Sequence, residues 1–404
     1  MNSINLRKNW LFIVIVFAVF LGLMVRYLDR VPGRHYCDFR VYYKAGQDFI
    51  KGKNIYLREY EAVTPYKYSP FFAFIFAPLT LLPIKTSAAV FFTVNFISLL
   101  LLGGFSFRLV QDALSAASLG VKERFLSYAL PLLSIIGCVF LVLDAGQVNI
   151  LMCALILAGL FSLSEDKEML AGAFFAFAIL IKYTPAVFLP YFLLHGRFKT
   201  VIWSIFFVVL FLALPALVIG ISKDLFYLSS WIPSIMSTSL DIDSYTGSRN
   251  QSIYSMFLRF FSSTQYHVQF FSLSFHQALF YGRMAALLLY VVVFIPGTSR
   301  PRDRIVDFSL LMICMSLFNP NAWEFNFISL FLGYMVLVQH SISTGLKDRF
   351  ILFSLMAAIF LTNITSRDIL GRAFEEFEYA YSFTTIGALV MYAALLKLKF
   401  DIKA

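Results

Sequence analysis

The chain alternates long apolar runs with short polar segments rich in Lys and Arg. A bilayer core of about 30 Å takes about 20 apolar residues in helix. Runs that reach or approach this length fall at 10–28, 86–107, 125–143, 147–164, 169–181, 183–194, 200–220, 276–297, 305–318, 322–340, 350–363 and 381–396. The pattern therefore predicts an all-α polytopic membrane protein with about twelve spans. The pair at 169–181 and 183–194 is short and carries Pro185 and Pro190, so it reads as two short helices or one bent hairpin. The first run follows Arg7 and Lys8 as a signal peptide would, but it is too long for an h-region and no small-residue cleavage site follows it, which keeps it as a span. Phe71–Leu82 is too short to cross and reads as a re-entrant or interfacial helix on the outer face.

Basic residues in short loops set the orientation. Arg7 and Lys8 place the N-terminus inside. Alternation then puts Arg108, Lys122, Arg124, Lys167, Arg197, Lys199, Arg300, Arg302, Arg304, Lys347, Arg349, Lys397, Lys399 and Lys403 on the same side, so both termini are cytoplasmic. Counting Phe71–Leu82 as a span would break this pattern. The outer loops are then 29–85, 221–275 and 364–380. The first holds eight basic residues between Arg30 and Lys67, which points to an anionic lipid headgroup or lipid phosphate. Within it, Asp38–Lys53 mixes Phe39, Tyr42, Tyr43 and Phe49 with charges, as an interfacial helix does. With no repeat or linker, residues 1–404 read as one membrane domain onto which these loops pack.

Composition narrows the function. Of 404 residues, 60% are hydrophobic, 18% aromatic and 14% charged, and the mean hydropathy is +0.77. Soluble domains carry about 25% charged residues, so a soluble enzyme, a nucleic-acid-binding protein and a disordered regulator are excluded. The net charge of +10 reflects membrane topology. Neither the four cysteines nor the five histidines have metal-ligand or disulfide-framework spacing.

The polar chemistry gathers on the outer side: Asp38; Tyr66–Pro70; Gly146-Gln147-Val148-Asn149; Lys182–Pro185; Asp241 and Asp243 ahead of Arg249-Asn250-Gln251-Ser252; Asn319–Asn326; and Arg367, Asp368, Arg372, Glu375 and Glu376. A lipid-linked-sugar flippase or small-solute transporter would place ionisable groups at mid-span and show internal repeats. The spans instead read as nearly clean of charge at their centres. A membrane scaffold for an envelope glycan complex would tolerate replacement of these outer residues.

Asp38, Gly52-Lys53-Asn54-Ile55-Tyr56, Tyr68-Ser69-Pro70, Ala77-Pro78-Leu79 and Leu82-Pro83 resemble the opening of glycosyltransferase family 87, the polyprenol-phosphate-mannose-dependent mannosyltransferases of GT-C membrane fold. Gly146–Asn149, Lys182 with Pro185, and Asn250-Gln251-Ser252 with Arg259 are similar to its later motifs, in the same order. The resemblance spans roughly residues 10–340. It departs at one place: the family often has Trp-x-His-His after an outer Ser-Pro turn, where this chain keeps Trp323 but has Phe325 and Asn326 in place of the histidines.

The resemblance implies a multi-pass plasma (inner) membrane enzyme with its active site facing outward. It implies a polyprenyl-phosphate sugar donor, with mannose the family expectation, and a glycan, lipid or protein acceptor. It also implies direct, inverting transfer with Asp38 as general base. Lys182 and Arg249 are the candidate donor-phosphate cations. Tyr68, Gln147, Asn149, Asn250, Gln251, Trp323 and Glu324 are the candidates for sugar or acceptor contacts. No cofactor and no metal are expected. Each residue has a plainer competitor: a surface ion pair for Asp38, snorkelling for Lys182, helix capping for Gln147 and Asn149, an aromatic-belt anchor for Trp323.

Overall fold

The computed structural model describes residues 6–30, 37–56, 66–114, 120–240, 245–247, 249–265, 268–297, 301–364 and 371–401. His35, Asp241, Asp243, His267, Arg300, Arg367, Asp368 and Lys403 lie outside the described residues. Among the described residues the architecture is helical, with one isolated bridge between Ser262 and Leu273.

Among the described residues, five helices are long and apolar enough to cross a membrane: Ile84–Ala113, Phe198–Ile219, Phe275–Val293, Glu324–Ser343 and Phe383–Phe400. Val121–Ser134 and Ile136–Ala145 make a sixth if this pair, bent by 56°, is one span. The sequence pattern predicts about twelve. Other expected runs are helical but shorter, among them Asn149–Ser164 with 16 residues and Glu168–Ile181 with 14. Apolarity alone does not separate a spanning helix from a short one packed inside the bundle.

The helices that carry the argument are α1 (Leu6–Arg30), α2 (Asp38–Ile50), α3 (Pro70–Phe76, continued by a 3-10 turn at Ala77–Leu81) and α4 (Ile84–Ala113). They continue with α5 (Val121–Ser134), α6 (Ile136–Ala145), α7 (Asn149–Ser164) and α8 (Glu168–Ile181). Next come α9 (Phe188–Leu194), α10 (Phe198–Ala213), α11 (Ala216–Ile219) and α12 (Ile221–Leu240). The last are α13 (Ile253–Phe261), α14 (Phe275–Val293), α15 (Pro301–Leu317), α16 (Phe331–Ser343), α17 (Arg349–Ile359), α18 (Arg372–Ala380) and α19 (Phe383–Phe400).

Burial ranks them. The window of Glu324–Ser343 is 89% buried, against 11% for Phe198–Ile219, so α16 is central and α10 faces outward. The expected second outer loop, 221–275, is mostly helix, because α12 and α13 occupy it. The expectation of clean span centres also needs correction. Arg283, the ninth of the 19 residues of α14, is the exception, whereas the buried pair of Lys399 in α19 and Asp307 in α15, 2.6 Å apart, lies toward helix ends.

The helix expected over Asp38–Lys53 is α2. Its aromatic face packs on α3 through Phe39 against Phe76 and Tyr42 against Phe72. Ser69 caps α3 by accepting from the Phe72 amide at 3.2 Å, and donates to the Leu180 carbonyl at 2.5 Å. One hydroxyl thus starts α3 and ties the first large loop to the end of α8.

Candidate active site

The site is built around the turn between α6 and α7. α6 ends on Gly146 at φ +63°, in a Schellman closure: Gln147 N–H bonds Val142 O at 2.9 Å and Gly146 N–H bonds Leu143 O at 3.2 Å. A Cβ on Gly146 would lie 2.7 Å from Phe39 Cβ and 2.8 Å from the Tyr27 hydroxyl, so only glycine allows α1 and α2 this close. The closure aims Gln147 at α2. Its Nε2 donates to Asp38 Oδ2, while its Oε1 accepts from the Tyr42 hydroxyl at 3.3 Å. The Tyr42 and Tyr68 hydroxyls are 2.8 Å apart. The carboxylate therefore sits at the first turn of α2, one helical turn before Tyr42, with its orientation set by a Gln–Tyr–Tyr chain.

Two residues further on, Asn149 opens α7. Lys182, where α8 stops, donates to Asn149 Oδ1 at 2.6 Å and to Asn326 Oδ1 at 3.3 Å, and its ammonium lies 5.6 Å from the centre of the Phe325 ring. Asn149 Nδ2 donates to Phe325 O at 3.0 Å. The turn 146–149 thus carries one contact to the candidate base and one to the candidate cation. Asp38 and Lys182 feel each other's charge but form no direct ion pair. Burial raises Asp38 to about 6, opposed by Lys182 and by the Gln147 hydrogen bond. Burial lowers Lys182 to about 8, opposed by Asp38. Each group holds the other's charged form in place.

The structure brings Asp38, Tyr68, Gln147, Asn149 and Lys182 into one cluster. The remaining predicted residues lie in the 319–326 turn or against it. Arg249 is exposed and lies over the Trp323 ring at 5.8 Å, and that ring's centre is 5.7 Å from the centre of the Phe325 ring over which Lys182 lies. Asn250 is spent on the backbone: it donates to Pro320 O at 2.7 Å and accepts from the Ser252 and Ala322 amides at 2.9 and 3.2 Å. Arg259, fully buried, bonds Asn250 O at 2.6 Å and Ser382 Oγ at 2.8 Å. This pair locks the loop at 247–252 rather than offering groups to a ligand. Gln251 is buried, its amide N–H bonding Ala322 O at 2.7 Å and its side-chain amide unpartnered. Glu324 faces Glu375, Glu378 and Tyr379, a second acidic group on α18.

Three site residues lie beyond the sequence-level assignments: Tyr42, Phe325 and Asn326. Tyr42 has a legible signal, since it is four residues from Asp38 on one helix face. Asn326 and Phe325 stand where histidines were expected, and only the packing of the 3-10 turn Glu324–Leu330 against α7 brings them to Lys182.

With this geometry in view, the comparisons with known proteins define the class. The model of glycosyltransferase family 87 matches residues 66–320. The chain belongs to glycosyltransferase family 87, and it is a membrane-embedded glycosyltransferase. A search of curated proteins returns no match. Among solved structures, the chain is similar to ArnT from Cupriavidus metallidurans bound to undecaprenyl phosphate, at 11% identity and a TM-score of 0.44, covering 96% of this chain and 78% of that one. A likeness that distant carries no argument about this chain.

Proposed function

We propose that the protein transfers a sugar, mannose by family expectation, from a polyprenyl-phosphate donor to an acceptor hydroxyl at the outer face of a plasma membrane, with both termini cytoplasmic and a GT-C-type arrangement. Asp38 takes the acceptor hydroxyl proton as its oxygen bonds the anomeric carbon. The bond from that carbon to the phosphate oxygen breaks, and the lipid phosphate leaves beside the Lys182 ammonium. One displacement inverts the anomeric centre. The single domain 1–404 presents the loops 29–85 and 221–275 to this face.

The observation that carries the reading is the separation of base and cation. Gln147 holds Asp38, and Asn149 with Asn326 holds Lys182. Opposite charges that share one cluster, each held by its own partners, suit a base and a leaving-group cation acting at the two ends of one displacement. Tyr68, which bonds Tyr42 beside Gln147, is kept for the sugar, and Gln251, Trp323 and Glu324 for the acceptor side.

The test is transfer of label from radiolabelled polyprenyl-phosphate mannose in membranes expressing the chain, wild type beside Asp38→Asn. Transfer by wild type and its loss in Asp38→Asn at equal expression supports donor and base together. Equal transfer by both removes Asp38 from the mechanism. No transfer from any of a panel of lipid-phosphate sugars rejects the donor class.

A further inference from the structure

Arg283 is the ninth residue of α14, about 12 Å along its axis. Its side chain is exposed, and among the described residues it makes no hydrogen bond or ion pair. Phe280, Leu287 and Leu288 on the same helix are also exposed, so this surface is apolar apart from the guanidinium. A cation within a spanning segment is costly and marks a functional partner.

Its position links it to the site. α13 crosses α14 at Gly282, where a Cβ would lie 3.3 Å from Tyr254 Cα, setting Arg283 beside Tyr254. Tyr254 is within electrostatic reach of both Arg283 and Tyr183. Tyr183 is half-exposed and adjoins Lys182 in the chain. Tyr254 thus neighbours both Arg283, on the exposed face of α14, and Tyr183, which precedes the short helix after Lys182.

We propose that Arg283 is a docking point for the phosphate of a lipid-linked donor on the membrane face of α14, from which the phosphate passes to Lys182. This rests on the proposed function and assigns it a residue and a direction of entry. A guanidinium pairs a phosphate through two parallel N–H donors, which an ammonium cannot do. Tyr254 and Tyr183 line the path with rings against the isoprenoid and hydroxyls toward the phosphate.

The experiment measures binding of sugar-free polyprenyl phosphate to the purified chain in detergent micelles, by ligand-dependent thermal shift, for wild type, Arg283→Gln and Arg283→Lys. The expected result is saturable binding by wild type, about tenfold weaker binding by Arg283→Gln, and partial recovery in Arg283→Lys. Unfolding of each variant without ligand checks that the exposed substitution leaves the fold intact. Equal affinity of wild type and Arg283→Gln overturns the docking point alone. Equal competition by phosphatidylglycerol assigns Arg283 to bulk headgroups and overturns the donor assignment. Failure of wild type to bind any polyprenyl phosphate overturns the donor reading itself, and this proposal with it.

Discussion

At the scale of the residue, the coupling of Asp38 and Lys182 sets the pH window. The base works when Asp38 is ionised, above about 6, and the leaving phosphate is neutralised while Lys182 is protonated, below about 8. The profile of kcat/KM against pH is therefore expected to be a bell with limbs near these values. Gln147→Leu removes a hydrogen bond that favours the carboxylate, so its acidic limb moves up; an unmoved limb means Gln147 does not hold Asp38. Lys182→Met removes the cation. It is expected to lower kcat by about 10²–10³, to abolish the alkaline limb and to raise the acidic one, since Asp38 loses its opposite charge.

At the scale of the element, bends and turns aim the side chains. Pro131 in α5 cannot donate to the carbonyl one turn back, and the path bends by 56° between α5 and α6. Asn363, from the turn after α17, repairs the bend: its Oδ1 accepts from Gly137 N at 2.8 Å and its Nδ2 donates to Leu133 O at 3.1 Å. Backbone groups inside a membrane protein require such partners. Asn363→Ala leaves both orphaned and is expected to cost about 1–3 kcal/mol, read as a lowered unfolding midpoint in detergent. Because α6 carries the Gly146–Gln147 turn, the variant should also lose activity beyond its loss of folded protein. Full activity in the folded fraction would separate the bend from the site.

Across the whole molecule, the second buried charge group serves stability. Lys399 pairs with Asp307, which also accepts from Tyr191 at 2.9 Å, and Lys399 donates to Val293 O at 2.8 Å. This clasp joins α9, α14, α15 and α19. Asp307 lies in the second turn of α15, whereas the 319–326 turn follows that helix's other end. Removing one partner leaves a buried charge uncompensated. Lys399→Met is expected to destabilise by about 3–5 kcal/mol in thermal unfolding, with the pH limbs of the folded enzyme unchanged. A shifted limb would couple this clasp to the reaction centre.

The sequence by itself determined the helical class, the family and the identity of most residues in the cluster. Apolar runs force helices in a bilayer, because no other open structure satisfies the backbone there. Gly146–Asn149 and Lys182 stood out as polar breaks between such runs. Only the tertiary structure decided which of these groups meet. It placed Gln147 on Asp38 through a left-handed glycine, drew Asn326 to Lys182, set Arg249 over Trp323, and committed Asn250 to loop carbonyls and amides. It also left Arg283 exposed on a helix that reads from hydropathy alone as an ordinary span. Local pattern records what each segment prefers; contacts between residues over 100 positions apart, such as Asp38 with Gln147, depend on packing that no local pattern encodes.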